Sequence, residues 1–208
     1  MKLLHVVATP RGEKSNTLPI SKAFINDLSS KFSDLEIKEI NPFFDEIPKV
    51  AEHSAEVKYA IMAGQNGIQK DNEQWKKVEA LISDFLEADY YLLTIPLWNF
   101  TIPHALKAYI DAIVQPGYLF RYNEQGVPIG LVTQKKMVCI CSTGGDYSPG
   151  SPMNALNFIE PYIRAIFGFV GITDIEFITA GPMNYTEEVK QMVTQGAVDA
   201  AEKIVARI

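Results

Sequence analysis

Polar side chains suited to binding an anion cluster between Thr9 and Thr17. Thr9, Ser15 and Thr17 carry hydroxyl groups, Asn16 carries an amide, and Arg11 adds a positive charge. The segment leads into a predicted helix, and a helix N-terminus offers unpaired N–H groups and partial positive charge that attract phosphate. The cluster therefore indicates a phosphate site. The plainer interpretation is that Ser15 or Asn16 only caps the helix.

The spacing of the glycines narrows the kind of phosphate ligand. Neither GxxxxGK[ST] nor GxGxxG occurs in the chain. This argues against a P-loop nucleotidase and against a Rossmann dinucleotide site. A monophosphate held mainly by hydroxyl groups fits the segment better.

A second loop, Pro96-Leu97-Trp98-Asn99-Phe100, is strongly aromatic and follows a buried apolar run. A flat, largely apolar ligand needs stacking surfaces together with an amide for its polar edge, and Trp98, Asn99 and Phe100 supply both. The alternative is ordinary core packing at the end of a strand.

A third loop, Ser142-Thr143-Gly144-Gly145, follows another buried run and is continued by Asp146 and Tyr147. Glycine lets a backbone approach a ligand closely, and N–H groups presented in this way stabilise developing negative charge. The alternative is a tight turn whose glycines need positive φ.

The elements that must position these loops alternate between strands and helices. Five strands are predicted at Leu3–Ala8, Leu35–Ile40, Tyr90–Ile95, Met137–Cys141 and Ile175–Ala180. Helices are predicted at Ser15 to Lys31, Lys49 to Met62, Asp71 to Glu87, Pro103 to Val114, Met153 to Phe167 (stopped by Gly168) and Thr186 to Arg207. Such alternation predicts an α/β fold with a parallel sheet covered on both faces, most simply in the order 2-1-3-4-5.

Ligands of such sheets bind beyond the carboxyl ends of the strands, where the strand order reverses. The three loops follow strands one, three and four, so the topology brings them together. Phosphate, stacking surfaces and anion-stabilising amides are jointly what flavin mononucleotide (FMN) requires. The segment Gly117–Thr133 interrupts the alternation and is predicted to be a hairpin after the helix that follows strand three, suited to a binding loop.

Composition limits the remaining classes. The 208 residues carry a net charge of −6 without a basic patch, so we expect no nucleic-acid partner. We also expect no membrane segment, because no apolar run reaches eighteen residues, and no signal peptide at the start. Cys139 and Cys141 share one face of a strand and are interpreted as buried apolar residues; with three scattered histidines they suggest no zinc site. We expect one cytoplasmic domain over residues 1–208.

The chain resembles the FMN-dependent NADH-azoreductases, also called NAD(P)H:quinone oxidoreductases. The resemblance rests on five segments in order along the chain: Ser15-Asn16, Pro96–Phe100, Phe120-Arg121-Tyr122, Ser142–Gly145 and Phe167–Ile172. It implies a flavodoxin-like three-layer sandwich that forms a homodimer, with one FMN per protomer and active sites at the dimer interface.

The resemblance also implies roles for individual residues. Thr9, Ser15 and Thr17 would hold the FMN phosphate, the Pro96–Phe100 and Ser142–Gly145 segments would cradle the ring, and Tyr122 and Phe169 would line the substrate pocket. We add Arg11 and Asn16 to the cofactor residues, and Phe120 and Tyr147 to the pocket. The implied reaction is ping-pong hydride transfer from NADH or NADPH through FMN to a quinone or azo compound, with no catalytic side chain and no metal ligand.

Two other classes remain open at this point. The resembling family was formerly described as acyl-carrier-protein phosphodiesterases, but a serine hydrolase would need a G-x-S-x-G elbow, which is absent. A flavodoxin-type electron carrier would expose its flavin edge, whereas the Gly117–Thr133 segment predicts a built pocket.

Overall fold

A computed structural model of the protein describes residues 1–49, 52–65 and 72–208. Strands and helices alternate along the described chain. The strands are β1 (Lys2–Val7), β2 (Glu36–Ile40), β3 (Tyr90–Pro96), β4 (Phe120–Tyr122), β5 (Pro128–Gly130), β6 (Lys136–Ser142) and β7 (Asp174–Ala180). The helices are α1 (Leu18–Lys31), α2 (Glu52–Met62), α3 (Glu73–Glu87), α4 (His104–Ile113), α5 (Ile159–Val170) and α6 (Glu187–Arg207).

Five strands form one parallel sheet in the order β2-β1-β3-β6-β7. Since β6 and β7 are the fourth and fifth predicted strands, this confirms the order 2-1-3-4-5. The short strands β4 and β5 pair antiparallel in a separate two-stranded sheet, which confirms the hairpin between α4 and β6.

Helices cover both faces of the sheet. Buried side chains of α3, α4 and α5 pack on one face, whereas α1 and α6 pack on the other. Along β3 the side chains alternate accordingly, with Tyr91 and Leu93 in the first core and Tyr90 and Leu92 in the second. All seven residues of β3 are buried, as expected of a strand covered on both faces. The three-layer sandwich is therefore confirmed.

The start of α1 differs from the prediction. We expected Ser15 or Asn16 as the N-cap, and this is wrong: the helix begins at Leu18 after Thr17. Residues Gly12–Lys14 form a short 3₁₀ turn, and Ser15 is extended, so the chain enters the helix later. Ser15 Oγ still accepts hydrogen bonds of 3.3 Å from the N–H groups of Thr17 and Leu18. It therefore satisfies donors of the entering chain without being the cap.

The fifth predicted helix is wrong at both ends. It was expected from Met153 to Phe167 with Gly168 as its stop, but α5 runs from Ile159 to Val170 and contains Gly168. The chain leaves the helix at Gly171, whose φ of 109° is a left-handed conformation that glycine adopts without steric cost. At the other end the Asn157 side chain accepts a hydrogen bond of 3.1 Å from the Ile159 N–H.

The helices α3, α4 and α6 also begin a little later than predicted. Pro103 is the N-cap of α4, not a residue of its first turn. Within the described residues α2 begins at Glu52 and α3 at Glu73, and residues 50, 51 and 71 of the two predicted helices lie outside them. In the part of the chain that the structure describes, no helix is both long and apolar enough to cross a membrane.

Candidate functional site

The three loops singled out in the sequence leave the sheet at the same edge. The pairing places Pro96 beside Ser142 and Ser142 beside Ala180 at the carboxyl ends of β3, β6 and β7. Hydrogen bonds then continue past the strands, from Ala8 N–H to Thr94 O (2.9 Å) and from Leu97 N–H to Ser142 O (2.8 Å). The topology therefore brings the loops together as predicted.

The first loop buries its hydroxyl groups. Thr9, Ser15 and Thr17 are all buried. Thr9 Oγ1 accepts a bond of 3.3 Å from the Arg11 N–H, and Thr17 Oγ1 lies 2.6 Å from Ser142 Oγ in the third loop. The Arg11 side chain is exposed, and Asn16 is half-buried. The buried hydroxyl of Thr17, just before α1, is thus hydrogen-bonded directly to the end of β6.

The second loop is a two-residue turn. Trp98 and Thr101 exchange two backbone hydrogen bonds of 3.0 Å. The residues between them, Asn99 and Phe100, have φ of 47° and 71°. Positive φ at both central positions is the pattern of a type I′ turn, which is uncommon for a residue as bulky as phenylalanine. Phe100 O also accepts a bond of 2.9 Å from the Phe158 N–H, so the turn is fixed to the segment before α5.

The third loop presents free backbone donors. Thr143 N–H donates to Ala180 O at 3.0 Å, and Thr143 Oγ1 donates to Gly145 O at 2.9 Å. Within the described residues neither Gly144 nor Gly145 uses its own N–H in a hydrogen bond. Neither glycine has positive φ, so the alternative of a left-handed turn is wrong. A Cβ at Gly144 would lie 2.5 Å from Asn184 Nδ2, so the exposed Asn184 side chain would have to move to admit one.

The predicted pocket residues form a separate aromatic group. The Phe120 ring lies 4.6 Å from the Phe169 ring and 5.7 Å from the Tyr122 ring, centroid to centroid. Tyr122 is about half exposed. The structure places Tyr147 in the third loop, and among the described residues no ring contact joins it to these three rings or to Trp98.

Phe43 is a site residue that the sequence analysis missed. Its ring makes edge contacts with Trp98 at 5.6 Å and with His104 at 5.4 Å, so it supports the second loop. Asn41 precedes it and donates from Nδ2 to Thr9 O at 3.2 Å, which joins this segment to the first loop. The signal was available, because Asn41-Pro42-Phe43 follows strand two at the same edge of the sheet.

A cleft of about 510 Å³ opens beside the second loop. Its walls combine the turn with α4 and α5: Trp98, Asn99, Thr101, Ile102, Pro103, His104, Lys107 and Tyr162. Burial raises the pKa of the Tyr162 phenol to about 12, with a further contribution from the charge of Asp111. The phenol therefore stays protonated at neutral pH and can donate a hydrogen bond into the cleft.

The chemistry of these groups fits FMN. Buried hydroxyl groups at the start of α1 suit a phosphate, and the aromatic second loop suits a flat ring. The free N–H groups of Gly144 and Gly145 suit the polar edge of that ring, where negative charge develops on reduction. By contrast, the thiols of β6 stay protonated at neutral pH, since complete burial raises the pKa of Cys141 to about 12 and that of Cys139 well above its ordinary value.

Known proteins are similar to this chain in both sequence and fold. The model of a family described by its flavodoxin-like fold matches residues 1–205. The chain is 37% identical over 184 residues to the FMN-dependent NADH:quinone oxidoreductase of Nostoc punctiforme, with 88% of each chain covered. It is 32% identical over 180 residues to the enzyme of the same name from Nitratidesulfovibrio vulgaris, with 86% of each covered.

A solved structure agrees with these relatives. The FMN-dependent NADH-azoreductase from Bacillus anthracis in complex with FMN has a TM-score of 0.87 and 25% identity, covering 99% of this chain and 98% of that one. The chain therefore belongs to the flavodoxin-like-fold family and, within it, to the FMN-dependent NADH:quinone oxidoreductases.

Proposed function

We propose that this protein is an FMN-dependent NAD(P)H oxidoreductase that reduces quinones and azo compounds. The observation that carries the proposal is the meeting of the three loops through Ser142, whose hydroxyl bonds Thr17 at 2.6 Å and whose carbonyl accepts from Leu97 at 2.8 Å. A single residue thus ties the hydroxyl loop to the aromatic loop, as one ligand with a phosphate at one end and a ring at the other requires.

The phosphate end of the cofactor is assigned to the first loop. Thr9, Ser15 and Thr17 supply buried hydroxyl groups, and the start of α1 adds its partial positive charge. Arg11 and Asn16 lie in the same loop. Arg11 is exposed, so its positive charge can attract an incoming anion.

The ring is assigned to the other two loops. Trp98 and Phe100 offer stacking surface and Asn99 an amide, on a backbone positioned by Pro96 and Leu97. In the third loop Gly144 and Gly145 bring free backbone N–H groups towards the polar edge of the ring, and Ser142 and Thr143 hold that loop through Thr17 and Ala180. Losing one such donor to developing negative charge typically costs about 2.7–4 kcal/mol.

When bound, FMN would supply the redox chemistry that links oxidation of NADH or NADPH to reduction of the acceptor. The protein side chains bind and orient, and none is needed as a nucleophile. We assign the acceptor pocket to Tyr122, Phe169 and Phe120, which form one aromatic group, and to Tyr147 in the third loop. Donor and acceptor would use the same place in turn, which gives ping-pong kinetics.

We further propose a cytoplasmic, single-domain chain that forms a homodimer with shared sites. Large apolar side chains lie exposed beside the second loop, among them Phe100 and Phe158, which are joined by a backbone hydrogen bond. Exposed apolar surface of this kind beside a cleft supports a protein partner. The cysteines of β6 are free and buried, which suits a reducing compartment.

Spectroscopy and kinetics test the proposed reaction. Protein reconstituted with FMN should be yellow, and NADH should bleach it in the absence of oxygen. Initial rates measured with NADH and a soluble quinone should give parallel double-reciprocal lines. Intersecting lines would argue against one shared pocket, a yellow protein that NADH does not bleach would favour an electron carrier, and a protein that binds no FMN would favour a hydrolase.

A further inference from the structure

A line of polar side chains crosses the otherwise apolar sheet. His5 on β1 is only 1% exposed, and its Nε2 lies 2.8 Å from Thr94 Oγ1 on β3. Thr94 Oγ1 lies 2.6 Å from Ser21 Oγ on α1, and Ser21 Oγ lies 3.4 Å from the carbonyl oxygen of Thr17. The neighbours of His5 along β1 are buried apolar residues, so this line is the exception within its strand.

One end of this line is fixed at the surface. Glu39 on β2 accepts a hydrogen bond of 3.1 Å from Nδ1 of His5. Because a carboxylate only accepts, this bond places a hydrogen on Nδ1 and sets the orientation of the ring. His5 is thus held from both sides, with Nε2 directed at Thr94.

The other end of the line is the first loop of the proposed cofactor site. Thr17 is the residue before α1, its own side chain makes no capping bond, and its hydroxyl is used to bond Ser142 at 2.6 Å. Its carbonyl is restrained by Ser21, whose backbone N–H donates to it at 3.2 Å and whose hydroxyl oxygen lies 3.4 Å away. The hydroxyl of Ser21 is held in turn by Thr94.

A purely structural role would not explain this arrangement well. Polar groups buried in a core cost free energy unless they are paired, and apolar residues would fill the same space without that cost. A paired line of this kind instead fixes the geometry of the groups at its end. Here that end is the loop assigned to the phosphate.

We propose that His5 and Thr94 are positioning residues for the phosphate loop, acting through Ser21 on Thr17. They hold the start of α1 so that its hydroxyl groups and N–H groups are already in place when the phosphate arrives. Preorganisation of this kind contributes to affinity by reducing the ordering that binding requires. The inference rests on the proposed function, because it concerns the site of the FMN phosphate.

The test compares the binding of two flavins to two variants in which the line of polar side chains is interrupted. Thr94→Val removes the central hydroxyl, and Ser21→Ala removes the last one while keeping a good helix former in α1. Thr94→Ser keeps the hydroxyl and serves as the rescue. Tyr109→Phe is the matched control, since it removes a buried hydroxyl that has no hydrogen-bond partner among the described residues. Dissociation constants for FMN and for riboflavin, which lacks the phosphate, are measured on each apoprotein by fluorescence quenching.

We expect Thr94→Val and Ser21→Ala each to weaken FMN binding by about five- to tenfold, as the loss of one hydrogen bond in the line implies. Riboflavin binding should change by less than about twofold, because riboflavin does not use the loop's phosphate site. Thr94→Ser and Tyr109→Phe should bind both flavins like the wild type.

Two results would overturn the inference alone. One is wild-type FMN affinity in both interrupted variants, and the other is an equal loss for FMN and riboflavin, which would mean general damage to the fold. Should Thr94→Val fail to fold, Ser21→Ala carries the comparison. A wild-type apoprotein that binds neither flavin would instead remove the proposed function itself.

Discussion

The second loop shows how single residues adopt unfavourable conformations at the candidate site. Asn99 and Phe100 both lie in the left-handed region, where a side chain normally costs free energy, and Asn tolerates it better than most residues. Backbone strain of this kind persists where the surroundings enforce it and is concentrated at functional sites. The two bonds between Trp98 and Thr101 supply that enforcement.

Substitutions of Asn99 should separate strain from binding. Asn99→Ala should lower the free energy of unfolding by about 1 kcal/mol, since alanine tolerates positive φ poorly, whereas Asn99→Gly should leave it nearly unchanged. Both variants remove the amide assigned to the ring and should weaken FMN binding to a similar extent. Urea unfolding and FMN titration measure the two quantities, and equal stability of the two variants would contradict the role of the turn.

The Glu39 carboxylate should give the stability a small dependence on pH. Its pKa lies below the ordinary value of 4.5, first because of the hydrogen bond from His5 and then because of the charges of His5 and Lys22, with burial opposing. A lowered pKa in the folded state stabilises above the ordinary pKa, and the contribution disappears as pH falls through the lowered value.

Glu39→Gln should therefore lower the free energy of unfolding at neutral pH by less than about 1 kcal/mol, because the Glu39 side chain is 61% exposed. The difference from the wild type should vanish well below pH 4.5. Glu36→Gln, at an exposed position of the same strand, is the control for the change of charge and should lower the free energy of unfolding less at neutral pH. A difference that stays constant into acid would show that the hydrogen bond between His5 and the Glu39 carboxylate is not its source.

The sequence allowed these residues to be predicted only in part. The hydroxyl groups of the first loop and the aromatic residues of the second stand out by type, so they could be found. Phe43 was missed because only the loops after strands one, three and four were considered. The line from His5 to Thr17 joins residues up to 89 positions apart, and no local pattern reveals such pairing.

At the scale of elements, the hairpin is seated on the end of α5 by glycines. Val132 N–H donates to Val170 O at 2.9 Å, and Gly130 of β5 lies directly against the backbone of Val170 and Gly171. A Cβ at Gly130 would overlap that backbone, so only glycine fits. This contact holds the hairpin against the helix that carries Phe169 and so brings the Phe120 and Phe169 rings together.

Gly130→Ala should therefore be costly. We expect it to lower the free energy of unfolding by about 1–3 kcal/mol, as overpacking against a rigid backbone usually does. Gly168→Ala is the matched control, because it lies in α5 with open space around it and should stabilise the helix by up to about 1 kcal/mol. Chemical unfolding measures the free energy of unfolding of both variants. A Gly130→Ala variant as stable as the wild type would refute the close contact.

The same region explains why α5 was misplaced. A glycine after an apolar periodic run commonly ends a helix, and Gly168 has that position in the sequence. Gly171 stops the helix instead, because its φ is positive and its N–H bonds back to Gly168 O at 3.0 Å. With two glycines three residues apart, the sequence alone does not say which one takes the left-handed conformation. The sheet order was easier to predict, since right-handed crossovers between strands leave few topologies and 2-1-3-4-5 is the commonest of them.

At the scale of the whole molecule, the sheet brings the three loops of the candidate site together, and we propose that a second copy of the chain completes the site. A homodimer should sediment at twice the monomer mass of 23.2 kDa. Phe158→Asp places a charge beside the second loop and should shift the protein towards monomer, because buried charge opposes association. Met192→Asp, at an exposed position of α6, should leave the mass unchanged. Analytical ultracentrifugation makes the comparison, and a monomeric wild type would exclude the dimer.

A single FMN is proposed to bridge the three loops, and a calorimetric titration of FMN into the apoprotein tests this directly. We predict saturable binding of one FMN per chain, weakened about tenfold or more in Thr17→Val, where the hydroxyl shared with Ser142 is lost, and unchanged in Thr179→Val, an exposed threonine of β7. Absence of binding heat in the wild type, or Thr17→Val binding as tightly as Thr179→Val, would contradict it.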